Sequence, residues 1–170
     1  MSTLAPEAGD IVLCHSKGII AKAIRFAERH AKGRRNAKWN HVAVLNYQVG
    51  TEWFIIQAEA KGVTDGRTLY SVAPGGEFEI IGLPEEVDRE KFLDFARSQV
   101  GDSYGFLTIL SCALDMYLPA AICLRKSKTW ICSGLVAGSL WFAGFKPAQK
   151  WPDLYTVTPS DIAQAIGFTK

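Results

Sequence analysis

"HVAVLNYQVGTEWFIIQAEA", residues 41–60, is the stretch that decides the fold. Two runs rich in β-branched and aromatic residues, HVAVLNYQV and WFIIQAEA, stand on either side of GTE. That pattern predicts an antiparallel hairpin. With a three-residue loop centred on Gly50, the register sets His41 opposite Glu59, both side chains on one face. A two-residue loop shifts the register and spoils the match. Gln57, two residues earlier on the same face, is then the alternative partner.

Outward from the hairpin, GDIVLC reads as a short strand entered through a Gly-Asp turn. KGIIAKAIRFAERHAKG places Ile20, Ile24 and Ala27 at helical spacing and stops at Gly33. RTLYSV and FEIIGL read as further strands around the turn APGGE. EEVDREKFLDFARSQVG spaces Val87, Phe92, Phe95 and Val100 helically and stops at Gly101. Two more helices are expected over about 104–118 and about 131–143. A last one starts at Thr158, with Pro159 at its first position, Asp161 completing the cap and Gly167 closing it. There is no internal repeat, low-complexity tract or linker, so residues 1–170 are expected to form one α+β domain. Its core is an antiparallel sheet of about five or six strands packed with helices.

The chain is 48% apolar and 21% charged, which suits a folded protein and excludes wholesale disorder. A formal charge of +2 gives no reason to expect a specific nucleic-acid partner. YGFLTILSCALDMYLPAAICL is long and greasy, but Asp115 in its middle and Pro119 favour a buried helix over a membrane span. MSTLAPEAGD has neither a basic start nor an apolar core, so no signal peptide is read there and a cytoplasmic location is expected. Delivery to the cell wall by another route stays open.

The cysteines are Cys14, Cys112, Cys123 and Cys132, none in a Cys-x-x-Cys pair, and the three histidines are scattered. Zinc ligation and disulfides are both the weaker readings, and no metal or organic cofactor is expected. Cys112 and Cys123 sit in greasy sequence and read as core, and Cys14 reads as mostly structural, although a strand end close to the site would leave it near the reaction.

Cys132, in WICSGLV, read alone is also compatible with a buried structural thiol. Near a helix start, however, unpaired N–H groups and the helix dipole would stabilise a thiolate and hold an oxyanion. His41, at the mouth of a strand, is the best candidate base. His30 belongs to a basic helix end, and His15 directly follows Cys14, so that its side chain points to the opposite face. Glu59 or Gln57 would orient His41 in the way the third member of a triad does.

GDIVL, NHVAVL, QAEAKGV and the late WICSGLV together follow the order of motifs in circularly permuted papain-like enzymes. The sequence resembles the permuted NlpC-type amidases and peptidases, distant relatives of the lecithin-retinol acyltransferase group, over roughly residues 9–140. The resemblance implies a permuted papain-like fold with Cys132 as nucleophile, His41 as base and Glu59 as the orienting group. GDSYGF looks like the glycine-and-tyrosine stretch that precedes the cysteine helix in relatives, which implies a substrate contact for Tyr104. Gly105 stands where some relatives have aspartate.

The expected activity is that of a cysteine hydrolase cleaving a peptide or cell-wall type amide through an acyl-thioester on Cys132. The alternatives are an esterase or acyltransferase on lipid-like substrates, and a catalytically silent module that binds an anionic partner. Trp39 and Trp130 flank the proposed site in sequence and would line a substrate cleft or pack. The basic run from Arg29 to Lys38 reads as solvated surface or as an attractor of anionic substrate. Substrate identity and oligomeric state are not legible at this level.

Overall fold

A computed structural model describes residues 5–15, 39–75, 77–105, 128–147, 151, 153–154 and 157–168. The expected helix ending at Gly33, the basic run, Cys112, Cys123, His30 and most of the greasy stretch lie outside these residues.

Five strands form one antiparallel sheet in the order β4-β3-β2-β1-β5. They are β1 (Ile11–Cys14), β2 (His41–Val49), β3 (Glu52–Glu59), β4 (Gly62–Thr68) and β5 (Phe78–Ile81). The α+β architecture expected from the sequence is the one observed. One strand is corrected. Only the first two residues of RTLYSV are extended: Arg67 and Thr68 end a strand that begins earlier at Gly62, and Leu69–Val72 closes into a single helical turn, α1. Burying Leu69 beneath the sheet drives that turn, and Ser71 Oγ donates to the Thr68 carbonyl at 2.7 Å.

The hairpin turn is shorter than expected, yet most of its register survives. Val49 pairs with Glu52, so the turn is the two residues Gly50 and Thr51, with Gly50 at φ 60°. Asn46 then bulges out of β2, and beyond it Leu45 pairs with Ile55 and Val44 with Ile56. One bulge thus cancels one missing loop residue. Arg97 fixes the bulge by donating through Nε to Asn46 Oδ1 at 2.9 Å.

Apolar residues alternate along the strands and cover both faces of the sheet. Ile11, Leu13, Val42, Val44, Ile56 and Ala58 pack against helices α2 (Arg89–Ser98), α3 (Cys132–Phe142) and α4 (Pro159–Ala165). Val12, Cys14, Ala43, Leu45 and Ile55 form a smaller cluster on the other side with Leu69 and Ala73. Helix α3 is apolar all round, as a helix wrapped by the rest of a domain should be, and Cys132 to Leu140 are all buried. Gly138 lets it sit close, since a Cβ there would press on the rings of Phe95 and Trp130.

Two short strands, β6 (Ser103–Tyr104) and β7 (Thr129–Trp130), pair in parallel. Tyr104 therefore begins no helix, contrary to the sequence reading. The pair is anchored to β4, where Val63 N donates to the Asp102 carbonyl at 2.8 Å and Gly101 N to the Val63 carbonyl at 2.9 Å. The C-terminal helix matches its expected cap, with Thr158 and Asp161 bonding reciprocally and Pro159 next in line. None of the described helices is long and apolar enough to cross a membrane.

Candidate active site

Cys132 is the first residue of α3, immediately after β7, with Ile131 as the cap. The first bond inside the helix runs from Leu135 N to the Ile131 carbonyl at 2.9 Å. The N–H groups of Cys132, Ser133 and Gly134 precede that ladder and point out of the helix start. Ser133 Oγ fastens this first turn to the C-terminal segment by donating to the Val157 carbonyl at 2.6 Å.

His41 opens β2 and lies within hydrogen-bonding contact of the Cys132 sulfur. Burial opposes ionisation of the thiol. The His41 hydrogen bond and charge, with the backbone N–H groups of Val42 and Ser133, outweigh it and bring Cys132 below the ordinary thiol value. For His41, burial again opposes the charge. The contact with Cys132, the Gln57 hydrogen bond and the more distant Glu59 charge raise it above the ordinary imidazole value. Both shifts favour the thiolate–imidazolium pair. The sulfur is nearly covered, with 3% of the residue exposed.

The partner of His41 is Gln57, whose Oε1 lies 2.7 Å from His41 Nε2. An amide oxygen only accepts, so Nε2 carries a proton and Nδ1 is left to face the sulfur. The expectation that Glu59 fills this place is corrected. Its carboxylate turns to Arg67 Nη1 at 3.0 Å, near the surface. The physical reason is desolvation: Gln57 is 1% exposed, and an uncharged amide tolerates that burial far better than a carboxylate. Glu59 acts on His41 through its charge alone.

Tyr104 is half-buried beside the thiol, and burial together with the Cys132 charge raises its phenol above the ordinary value. It is therefore a hydrogen-bond donor at every physiological pH. Trp39 is instead a core residue, 3% exposed, with its ring tilted against Phe168. Trp130 is half-buried, and its indole N–H donates to Gln99 Oε1 and Asp102 Oδ2, each at 3.1 Å. Its ring meets Phe95 edge-on. Of the two readings open to the tryptophans, Trp39 takes packing, while Trp130 packs on Phe95 and keeps part of its surface accessible.

Cys14 lies beside the site, where its place at a strand end could leave it, and the Val42 N–H is a part that the sequence does not announce. Cys14 pairs with His41 across β1 and β2, and burial followed by the Cys132 charge pushes its thiol up to about 12. The Val42 N–H, directed at the sulfur, depends on strand geometry that no residue type announces. Among the described residues, no group of three His, Cys, Asp or Glu side chains is placed to hold a metal ion.

No protein-family model matches the chain. No curated protein matches it either. Among solved structures it is similar to the metalloprotein YiiX of Escherichia coli O157:H7, a DUF1105 protein. The TM-score is 0.53 at 15% identity, covering 95% of this chain and 81% of that one. Likeness at such identity concerns the fold, and the chemistry has to be argued from the side chains.

Proposed function

We propose that this chain is a cysteine hydrolase of the permuted NlpC type, cleaving an amide bond through an acyl-thioester on Cys132. The contact between Cys132, at a helix start, and His41, whose other nitrogen is held by Gln57, carries the reading. The thiolate attacks the substrate carbonyl, and the carbonyl π pair moves to oxygen. The Cys132 N–H at the helix start is the donor nearest to that oxyanion. Collapse expels the amine, which takes its proton from His41 and leaves a thioester. His41 then accepts a proton from water as the hydroxyl adds, and the acid is released with the thiolate restored. Tyr104 is the side chain best placed to donate to the substrate.

Substrates of peptide or cell-wall type fit this chemistry. An ester, or transfer of the acyl group to an alcohol or amine, uses the same thioester. YiiX is described as a metalloprotein, but the donor set of the described residues here gives a metal no obvious hold, and no step needs one.

The test is alkylation of the folded protein by iodoacetamide as a function of pH, followed by exposure to an activated ester. Cys132 should react with an apparent pKa well below that of free cysteine, about 8.5. An acyl adduct should be found by mass spectrometry on Cys132 and vanish in Cys132→Ala. Ordinary or absent reactivity with no adduct, alongside salt-sensitive capture of an anionic partner, would favour a silent binding module.

A further inference from the structure

Behind the His41–Gln57 bond lies an unfinished one. Gln57 spends its carbonyl oxygen on His41, yet its amide nitrogen is buried with no hydrogen-bond partner. One other side-chain atom among the described residues is in the same condition, Thr64 Oγ1. The two residues are direct partners in the ladder between β3 and β4, so their side chains leave the same side of the sheet. Two orphaned polar atoms at facing positions form a complementary pair, an N–H donor and a hydroxyl that accepts. A rotation of the threonine side chain, or one ordered water between them, completes the bond.

We propose that Thr64 is the positioning residue that holds the Gln57 amide in place, with its carbonyl toward His41. The inference rests on the Cys132–His41 reading and adds a member behind it. Only the carbonyl side of the amide can accept from a protonated imidazole; the NH2 side would confront the imidazolium with another donor. With Thr64 accepting from Nε2, the amide is satisfied at both ends while it stays buried. Without that hydroxyl, a buried N–H is left unpaired, and the side chain gains by turning away toward water.

Among the described residues, the titratable groups around His41 are Cys132 from α3, Cys14 from β1 and Glu59 from β3 with Arg67 beyond it; Tyr104 from β6 lies beside the thiol. None of them is altered by a change at Thr64. The experiment is the pH profile of Cys132 alkylation by iodoacetamide in the full chain, read by peptide mapping. Thr64→Val should slow alkylation near neutrality by roughly three- to tenfold and move the profile to higher pH. Thr64→Ser should restore the wild-type profile. In a Gln57→Ala background the valine change should add nothing, since the side chain it serves is gone.

A wild-type profile in Thr64→Val, or an equal effect with and without Gln57, overturns the proposal and leaves the cysteine–histidine pair standing. An ordinary thiol profile in the unmutated protein overturns both. Should the valine variant not fold, Thr64→Ala carries the same comparison against Thr64→Ser.

Discussion

His41 Nε2 stands 2.7 Å from Gln57 Oε1, and this bond ties two neighbouring strands to the orientation of one imidazole. It leaves the opposite ring nitrogen for Cys132, which enters from a helix far along the chain. The sheet supplies the imidazole and the amide that binds it, and the helix supplies the sulfur. Each lies on a regular element, so the geometry is held by packing rather than by a loop.

Gln57→Ala should therefore cost much more than Glu59→Gln. A hydrogen bond to a charged group contributes about 1.5–3 kcal/mol, so loss of Gln57 should lower the Cys132 alkylation rate, or kcat/KM once a substrate is known, by roughly 10- to 100-fold. Glu59→Gln removes a charge distant from His41 together with a partly exposed ion pair to Arg67, and should change the rate about twofold or less at moderate salt. A larger loss from Glu59→Gln than from Gln57→Ala would reverse the assignment.

The pairing of Cys132 with His41 was legible because it needs only residue types and the order of motifs. What left Glu59 and Gln57 both open was tertiary. The expected register is reached only through a bulge at Asn46 that is fixed by Arg97, a residue of a helix that periodicity alone cannot dock. The choice between Gln57 and Glu59 depends on burial and on Arg67, whose guanidinium reaches the Glu59 carboxylate from the neighbouring strand. Trp39 looked available for a substrate because its covering ring, Phe168, lies near the other end of the chain.

The thiolate–imidazolium pair sets the pH dependence. Cys132 is lowered, so reactivity should rise with pH below the ordinary thiol range; His41 is raised, so the charged pair should persist above the ordinary imidazole range. The same signs apply to stability. The Cys132 contribution is present above the unfolded thiol value and is lost as pH falls through the folded one. The His41 contribution is present below the unfolded imidazole value and is lost as pH rises through the folded one. His41→Ala should do more than restore an ordinary thiol, because burial, the largest effect on Cys132, stays behind. Its alkylation profile should move above that of free cysteine, and a profile remaining low would mean that the helix start alone sustains the thiolate.

Cys14 and Cys132 should separate cleanly by labelling. Both are buried free thiols in the described structure, but Cys14 is pushed up to about 12 while Cys132 is lowered. Brief treatment with iodoacetamide near pH 7 should label Cys132 and leave Cys14 unmodified in a peptide map. Cys14→Ala should keep the Cys132 profile. Preferential labelling of Cys14 would show that the charge sits on the other side of His41.

Gly62 offers a test of how the fold holds Tyr104 at the site. It adopts φ 113°, and a Cβ there would collide with the Asp102 carbonyl oxygen. That carbonyl accepts from Val63 N at 2.8 Å, next to the strand that carries Tyr104. A side chain at this position is strained twice, by backbone conformation and by contact with main chain that cannot rotate away. Gly62→Ala should destabilise the protein by about 2–4 kcal/mol, measured as a lower urea midpoint with an unchanged slope. In the folded fraction, the segment from Asp102 to Tyr104 must shift to make room. On the proposed reading that Tyr104 donates to the substrate, turnover should fall in Gly62→Ala and in Tyr104→Phe alike, while the Cys132 alkylation profile, governed by His41 and the helix start, holds. An alkylation profile that moves as well would place β4 in control of the thiol itself.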